Sequence, residues 1–416
     1  MKQKGWEKKE FQELSLYLCA LMRAALRGEK AKEKPESVSW EDVFTLAANN
    51  SVDGLCFLGL SGLLSPPPGE LSDKWKQTYD IALYRYLGFE EERHQIEKML
   101  EDHGISVLPL KGILLAEYYP MPGMRSMADN DILYGFIEED EEGGYRICGK
   151  TEEEQTASVR RAQKLLKELM EQRGYSIKRE PGDLSEDYHD VFTRKPFYNF
   201  EFHRNLLPEW SPQYAYYENP WKRAVRDPKN PYHFHFKSED EYIFLQLHAS
   251  KHYEMGGSGF RFLADLHVFL REKKDSLNWP YIEEELERLN LLEFDKEMRA
   301  LSKAVLTNEQ QMDDREKTKV CFLLHNMTYG ERDKESQQEL LLWKKQQNAK
   351  SKWEAKWQYV LDRIFLPGEM SKENYPFFYK YTIFKPFLIV WRLLKGIFIC
   401  PGRLWREICM FLGIGE

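Results

Sequence analysis

An α+β fold is predicted by three features of the chain: helical spacing of apolar residues over 1–80, a change to short strand-like runs within 81–207, and a return to helical, aromatic-rich sequence over 208–365. A fourth region, 366–416, is an aromatic and basic tail. At 416 residues the chain exceeds the usual length of one domain, and with 42% hydrophobic and 14% aromatic residues it can bury a sizeable core.

In the first region Phe11, Leu14, Leu18 and Met22 repeat at helical spacing between Trp6 and Leu26, and the charged, proline-containing EKAKEKPES ends the helix. Ser39 offers an N-cap to WEDVFTLAANN, with Glu41 and Asp42 in the first turn, where the helix dipole favours acids. SPPPGE, at 65–70, reads as a linker or stiff loop, and a long helix is expected from Trp75 to His103, stopped by Gly104. The period then changes. ISVLPLKG is a short buried strand, GILLAEYY a helical turn or two, PMPGMRSM a loop, and ADNDILYG a second strand. The acidic insertion EEDEEGG precedes a helix over Glu152–Arg173 that Gly174 ends, and DVFTRK and FYNFEFHRNL read as two strands of a hairpin about Lys195–Pro196. Beyond Pro208, YIFLQLHASKHY and FRFLADLHVFL are the clearest helices, with GGSG at 256–259 a flexible hairpin between them. PYHFHF, with His233 and His235, is a strand or loop edge without evident chemistry.

A formal charge of −8 argues against a general basic surface that coats nucleic acid, so a polyanionic ligand has to be met locally. Cys19, Cys56, Cys148, Cys321, Cys400 and Cys409 are scattered, with no CxxC pair, which reads as reduced thiols in a cytoplasmic protein. The start, MKQKGWEKKEFQEL, mixes acids and bases where a signal peptide needs an apolar core. In the tail, Arg392 and Lys395 interrupt the apolar run too early for a membrane span of roughly 20 residues. Residues 376–416 therefore read as an amphipathic helix, either packed on the body or lying on a membrane surface or a partner.

The chemistry begins at Asp129 and Asp131. Side chains two apart on a strand share a face, so the two carboxylates would point together while Asn130 and Ile132 point away. Parallel carboxylates repel unless solvated or bridged by a cation, and hard oxygen ligands at this spacing suit Mg²⁺. Taken alone, ADND is also ordinary turn chemistry, and an EF-hand loop is excluded because Leu133 and Tyr134 stand where a ligand and a glycine belong. In FYNFEFHR, alternation places Tyr198, Phe200 and Phe202 on one face and Asn199, Glu201 and His203 on the other, so Glu201 could complete a three-acid site from a neighbouring strand. Lys111–Gly112, at a strand-to-helix turn, offers a positive charge and a close backbone approach, a place for phosphates or simply an exposed turn.

This order of motifs resembles the uncharacterised nucleotidyltransferase family of the DNA polymerase β-like superfamily. The likeness rests on Leu110–Lys111–Gly112 at a strand end, Arg125 before the spaced pair Asp129 and Asp131, and Glu201 and His203 in a later strand. His248, Lys251, His252 and Asp265 also look like the family's following region, and the resemblance covers roughly 35–275. It departs from the superfamily where Lys111–Gly112 replaces a glycine–serine pair, and from the family where DNDILY places polar Asn130 at a position that packing usually gives to an aliphatic. The resemblance implies a polymerase β-like nucleotidyltransferase core, a small mixed sheet flanked by helices. It also implies a Mg²⁺-dependent transfer of a nucleoside monophosphate from a nucleoside triphosphate to a hydroxyl acceptor. Asp129, Asp131 and Glu201 would hold two Mg²⁺ ions, Glu201 also standing as a base, while Lys111, Gly112, Arg125 and His203 would serve the nucleotide. The acceptor would be a small molecule or a protein rather than a long nucleic acid.

Two other classes are compatible with parts of the chain. His248 and His252, four apart on a helix, could join Asp265 or His267 in the transition-metal site of a hydrolase, although HxxxH lacks the glutamate of the zinc-protease motif. A catalytically inactive nucleotide-binding scaffold docking through its tail is the third class, and three convergent acids without a cation weigh against it.

Overall fold

The computed structural model describes residues 8–178, 188–209, 211–254, 260–307, 312–325 and 387–388. The elements described here all fall within one compact unit, Trp6–Tyr329. GGSG and, apart from 387–388, the basic tail lie outside the described residues.

Helices α1 (Lys9–Arg27), α2 (Trp40–Asn49) and α3 (Asp53–Gly59) form as their apolar spacing predicts. Ser39 caps α2 by accepting a hydrogen bond from the Asp42 backbone N–H at 3.0 Å. α4 (Gly69–Asp102) begins earlier than expected: Ser65 and the prolines of SPPPGE stay outside, Pro68 stands at the N-cap, and residues 80 and 81 lie within the helix. Gly104, at φ 74°, supplies the left-handed turn that sends the chain into the sheet.

Five strands make the central sheet: β1 (Ser106–Leu110), β2 (Asn130–Gly135), β5 (Ser176–Ile177), β6 (His189–Arg194) and β7 (Tyr198–His203), in the order β1-β2-β7-β6-β5. The pairs are antiparallel except β2 and β7, which are parallel, so the sheet is mixed. α5 (Gly112–Glu117) follows β1, and α6 (Glu152–Gln172), capped by Thr151, precedes β5. The acidic insertion is a hairpin, β3 (Ile137–Glu139) against β4 (Tyr145–Ile147); strands of three residues are too short to show an alternation. Lys195–Pro196 forms the turn between β6 and β7, and its peptide bond is cis.

One face of the sheet carries Val107, Ile132, Tyr134, Phe192, Phe200 and Phe202, and these pack against Phe89, Ile96 and Leu100 of α4 and Ala162, Leu166 and Met170 of α6. Burying an apolar side chain of this size contributes about 1.5–3 kcal/mol, so this layer anchors β2 and β7 side by side.

After the hairpin of β8 (Ala224–Arg226) and β9 (Phe234–Phe236) come α7 (Ser238–Glu254), α8 (Arg261–Lys273), α9 (Trp279–Arg288), α10 (Leu292–Thr307) and α11 (Asp314–His325). The amino-terminal and later helices join. The Asn50 amide donates to the Leu324 carbonyl at 3.0 Å, and Arg23 donates to the Val305 carbonyl through Nε and Nη2 at 3.1 and 2.8 Å. Among the described residues no helix is long and apolar enough to cross a membrane.

Candidate active site

The register of β2 decides which side chains meet. Leu110 of β1 lies opposite Asp131, and Asp131 lies opposite Glu201 of the parallel β7, followed by Leu133 opposite His203. Paired residues point to the same side, so Asp131, Glu201 and His203 share the face opposite the aromatic core. Their ligand atoms all lie within 4.8 Å of one another, and among the described residues they form the only group with metal-ligand spacing. Asp129 stands just before β2 and outside that group, near enough to Asp131 for each to act on the other's charge.

Asp131 is buried, and its Oδ1 accepts hydrogen bonds from Lys111 Nζ at 3.0 Å and His203 Nε2 at 2.8 Å. Burial works to raise its pKa, but Lys111 and His203 outweigh it and hold the carboxylate well below the usual range. Asp129 is pushed up, first by burial and then by the charge of Asp131. Glu201, whose side chain is 26% exposed, is pushed up to about 7 by burial and by the two aspartates. Asp131 thus keeps its charge, while Asp129 and Glu201 are pressed toward the protonated form.

His203 is held below its ordinary pKa by burial in spite of its bond to Asp131. A neutral ring that donates Nε2–H to Asp131 orients that carboxylate, and this bonding fixes the tautomer. His189 stacks on His203 with ring centroids 5.2 Å apart, and its Nε2 lies 3.9 Å from Glu201 Oε2. Burial and the neighbouring His203 push it down to about 4. The expected strand DVFTRK began one residue after His189; extending its alternation backwards places His189 on the face of Val191, but its meeting with His203 depends on the β6–β7 register.

Lys111 occupies the β1–α5 junction with φ 51° and ψ −114°, a conformation that costs a side-chain-bearing residue about 1–3 kcal/mol. Asp131 and the Phe244 ring, 5.8 Å from Nζ, hold its ammonium. Gly112 is required by a close approach: a Cβ there would lie 2.8 Å from Arg125 Nη1. Arg125, expected on a phosphate, is buried and gives its fork to Asp265, Nε to Oδ1 at 2.8 Å and Nη2 to Oδ2 at 3.0 Å. The Tyr119 hydroxyl donates to the same carboxylate at 2.8 Å. Asp265 is therefore committed away from the histidines. His248 and His252 hydrogen-bond each other, Nε2 to Nε2 at 3.1 Å, and acquire no third metal ligand among the described residues.

A small mixed sheet backed by helices, with a buried aspartate beside a glutamate on its free face, is consistent with a nucleotidyltransferase-like core. The chain belongs to the uncharacterised nucleotidyltransferase family, which it matches over residues 36–136 and 158–307, more than half its length. Neither a curated protein nor a solved structure matches it.

Proposed function

We propose that the protein transfers a nucleoside monophosphate from a nucleoside triphosphate to a hydroxyl group on a small molecule or a protein, releasing pyrophosphate, and that it does so with Mg²⁺. The observation that carries this reading is the parallel register that sets Asp131 beside Glu201. The donor set fits the ion: Asp131 and Glu201, with Asp129 adjacent, offer hard oxygens, and Glu201 is pushed up by burial and then by the two aspartates. His203 gives its Nε2–H to Asp131, which leaves the oxygens as the natural ligands. Bound there, Mg²⁺ would supply the positive charge that lowers the acceptor hydroxyl's pKa and offsets charge on the α-phosphoryl oxygens.

The protein's own groups divide the remaining work. Glu201 accepts the proton of the acceptor hydroxyl, whose oxygen bonds to the α-phosphorus as the bond to the bridging oxygen breaks and pyrophosphate departs. His203 holds Asp131 in one orientation. Lys111 donates one N–H to Asp131 and has two more to offer a phosphate. Arg125 and Gly112 act beneath, keeping the Lys111 turn in place.

A thermal-shift titration with the four ribonucleoside triphosphates, with and without Mg²⁺, tests the reading on wild type and an Asp129→Asn/Asp131→Asn variant. A ligand at a hundred times its Kd adds about 2.7 kcal/mol. The expected result is stabilisation of wild type by at least one triphosphate only with Mg²⁺, lost in the variant. No shift by any triphosphate, with both proteins folded, would count against the function.

A further inference from the structure

Once Arg125 is committed to Asp265, Lys111 is the one cation left of the set expected to meet phosphates. A triphosphate carries several negative charges, and a single ammonium shared with Asp131 is a thin match. The missing charge lies on α7.

Phe244, His248 and His252 stand at i, i+4 and i+8 on α7, and Lys251 adjoins the last of them, so the four form one stripe. The stripe begins at the site, because the Phe244 ring lies 5.8 Å from Lys111 Nζ. It ends at the far side of the site: Lys251 Nζ is 3.5 Å from the Tyr188 hydroxyl and 5.6 Å from its ring. Tyr188 in turn lies 5.7 Å, ring to ring, from His203. The helix therefore faces the carboxylate side of the sheet from Lys111 to His203. The electrostatics agree. Burial first, then Lys111, His252 and Lys251, hold His248 well below its ordinary pKa, against the pull of Asp131, and His252 is lowered by burial, Lys111, Lys251 and Arg261. Arg261, whose Nη1 donates to the Ser126 carbonyl at 2.9 Å, brings a further charge to the same space and acts on Asp129 as well.

We infer that the stripe His248–Lys251–His252 is the seat of the nucleotide's β- and γ-phosphates, a hydrogen-bond-donating wall charged by Lys251, in a cleft whose opposite wall is Asp131 and Glu201. This deepens, and rests on, the nucleotidyl-transfer reading. The imidazoles are suited to it because among the described residues each Nε2 has only the other as partner, at 3.1 Å, and a phosphate oxygen accepts the shared N–H in place of a neutral nitrogen. The division also explains why Lys111 keeps a hand on Asp131: it stands between the two walls and bridges them.

The test uses the full chain and inorganic tripolyphosphate with Mg²⁺, beside the triphosphate that stabilises wild type, both measured by calorimetry. Lys251→Met and His252→Gln are expected to weaken both ligands at least tenfold, Lys251→Arg to retain most of the affinity, and His267→Gln, outside the stripe, to change nothing. Mn²⁺ binding is expected to stay at the wild-type level in all four, which separates a lost phosphate seat from a damaged fold. Wild-type affinity for both ligands in Lys251→Met and His252→Gln overturns the stripe and leaves the transferase standing. A wild type that binds Mn²⁺ but neither phosphate ligand overturns both.

Discussion

Two buried aspartates, Asp265 and Asp131, are each met by a basic side chain, and they differ in how completely. Asp265 receives three hydrogen bonds, two from Arg125 and one from Tyr119, spread over both of its oxygens. Asp131 receives two, from Lys111 and His203, both on Oδ1, with Glu201 beside it in the ladder and Asp129 next but one in the chain. The first carboxylate is balanced and holds helix α8 to the Tyr119–Arg125 segment. The second stands beside two carboxylates that burial and mutual repulsion push toward protonation, and shifted groups cluster where function is expected. Two acids of the same type are thus set apart by the number and spread of their partners.

That contrast breaks most sharply under exchange of roles. On the reading proposed above, Asp131→Asn is expected to lower nucleotidyl transfer on the order of a thousandfold, about 4 kcal/mol, since it removes a carboxylate that would hold the Mg²⁺ ion against the reacting phosphate. Its melting temperature should move far less, because an amide oxygen still accepts from Lys111 and His203 and the pressure on Glu201 is relieved. Arg125→Met is the mirror image: stranding Asp265 should cost about 3–5 kcal/mol in urea denaturation. If Asp131→Asn proved the more unstable of the two while retaining activity, the assignment of roles would be reversed.

A smaller effect follows from Glu201. Its folded pKa of about 7 lies above the ordinary 4.5, so its proton contributes stability that is complete below 4.5 and lost as pH rises through 7. With a chelator present, wild type should therefore weaken between pH 5 and pH 8 relative to Glu201→Gln, by on the order of 2 kcal/mol. The two should be equal near pH 4. Adding Mn²⁺ at pH 8 should reverse the order, since wild type alone keeps both carboxylate ligands. A pH-independent difference would mean that burial and the aspartates do not raise the Glu201 pKa.

Much of this was legible in the sequence, and the reason lies in what local patterns record. Alternation in FYNFEFHR separates the core aromatics from Glu201 and His203, and the Ser39 cap and the helix stop at Gly104 follow from residue chemistry alone. The family resemblance found by that route is the one the chain belongs to. What stayed hidden was set by register or distance. Arg125 and Asp265 are 140 residues apart, and nothing near either announces that the guanidinium is already engaged. His189 reaches His203 only through the β6–β7 ladder, and β5 spans only Ser176–Ile177, too short to carry a pattern. The histidines of α7 were visible as a pair, but the side of the sheet they face was not.

The smallest effect concerns Asn130, which stands between the two aspartates and faces the opposite way. It is 1% exposed, and among the described residues neither its amide nitrogen nor its amide oxygen has a hydrogen-bond partner, while its neighbour in the ladder is the fully buried Phe200. An unsatisfied buried amide forfeits its hydration with nothing in return, and a β-branched aliphatic suits a strand at this depth. Asn130→Val should therefore stabilise the protein by about 1–2 kcal/mol in urea denaturation. The contrast with Asp131 is then confined to one step along β2: at 131 the polar group is met by Lys111 and His203, and at 130 the fold gains from losing one. A destabilised Asn130→Val would show instead that the amide is satisfied in solution, and that β2 is polar on both faces at its Asp131 end.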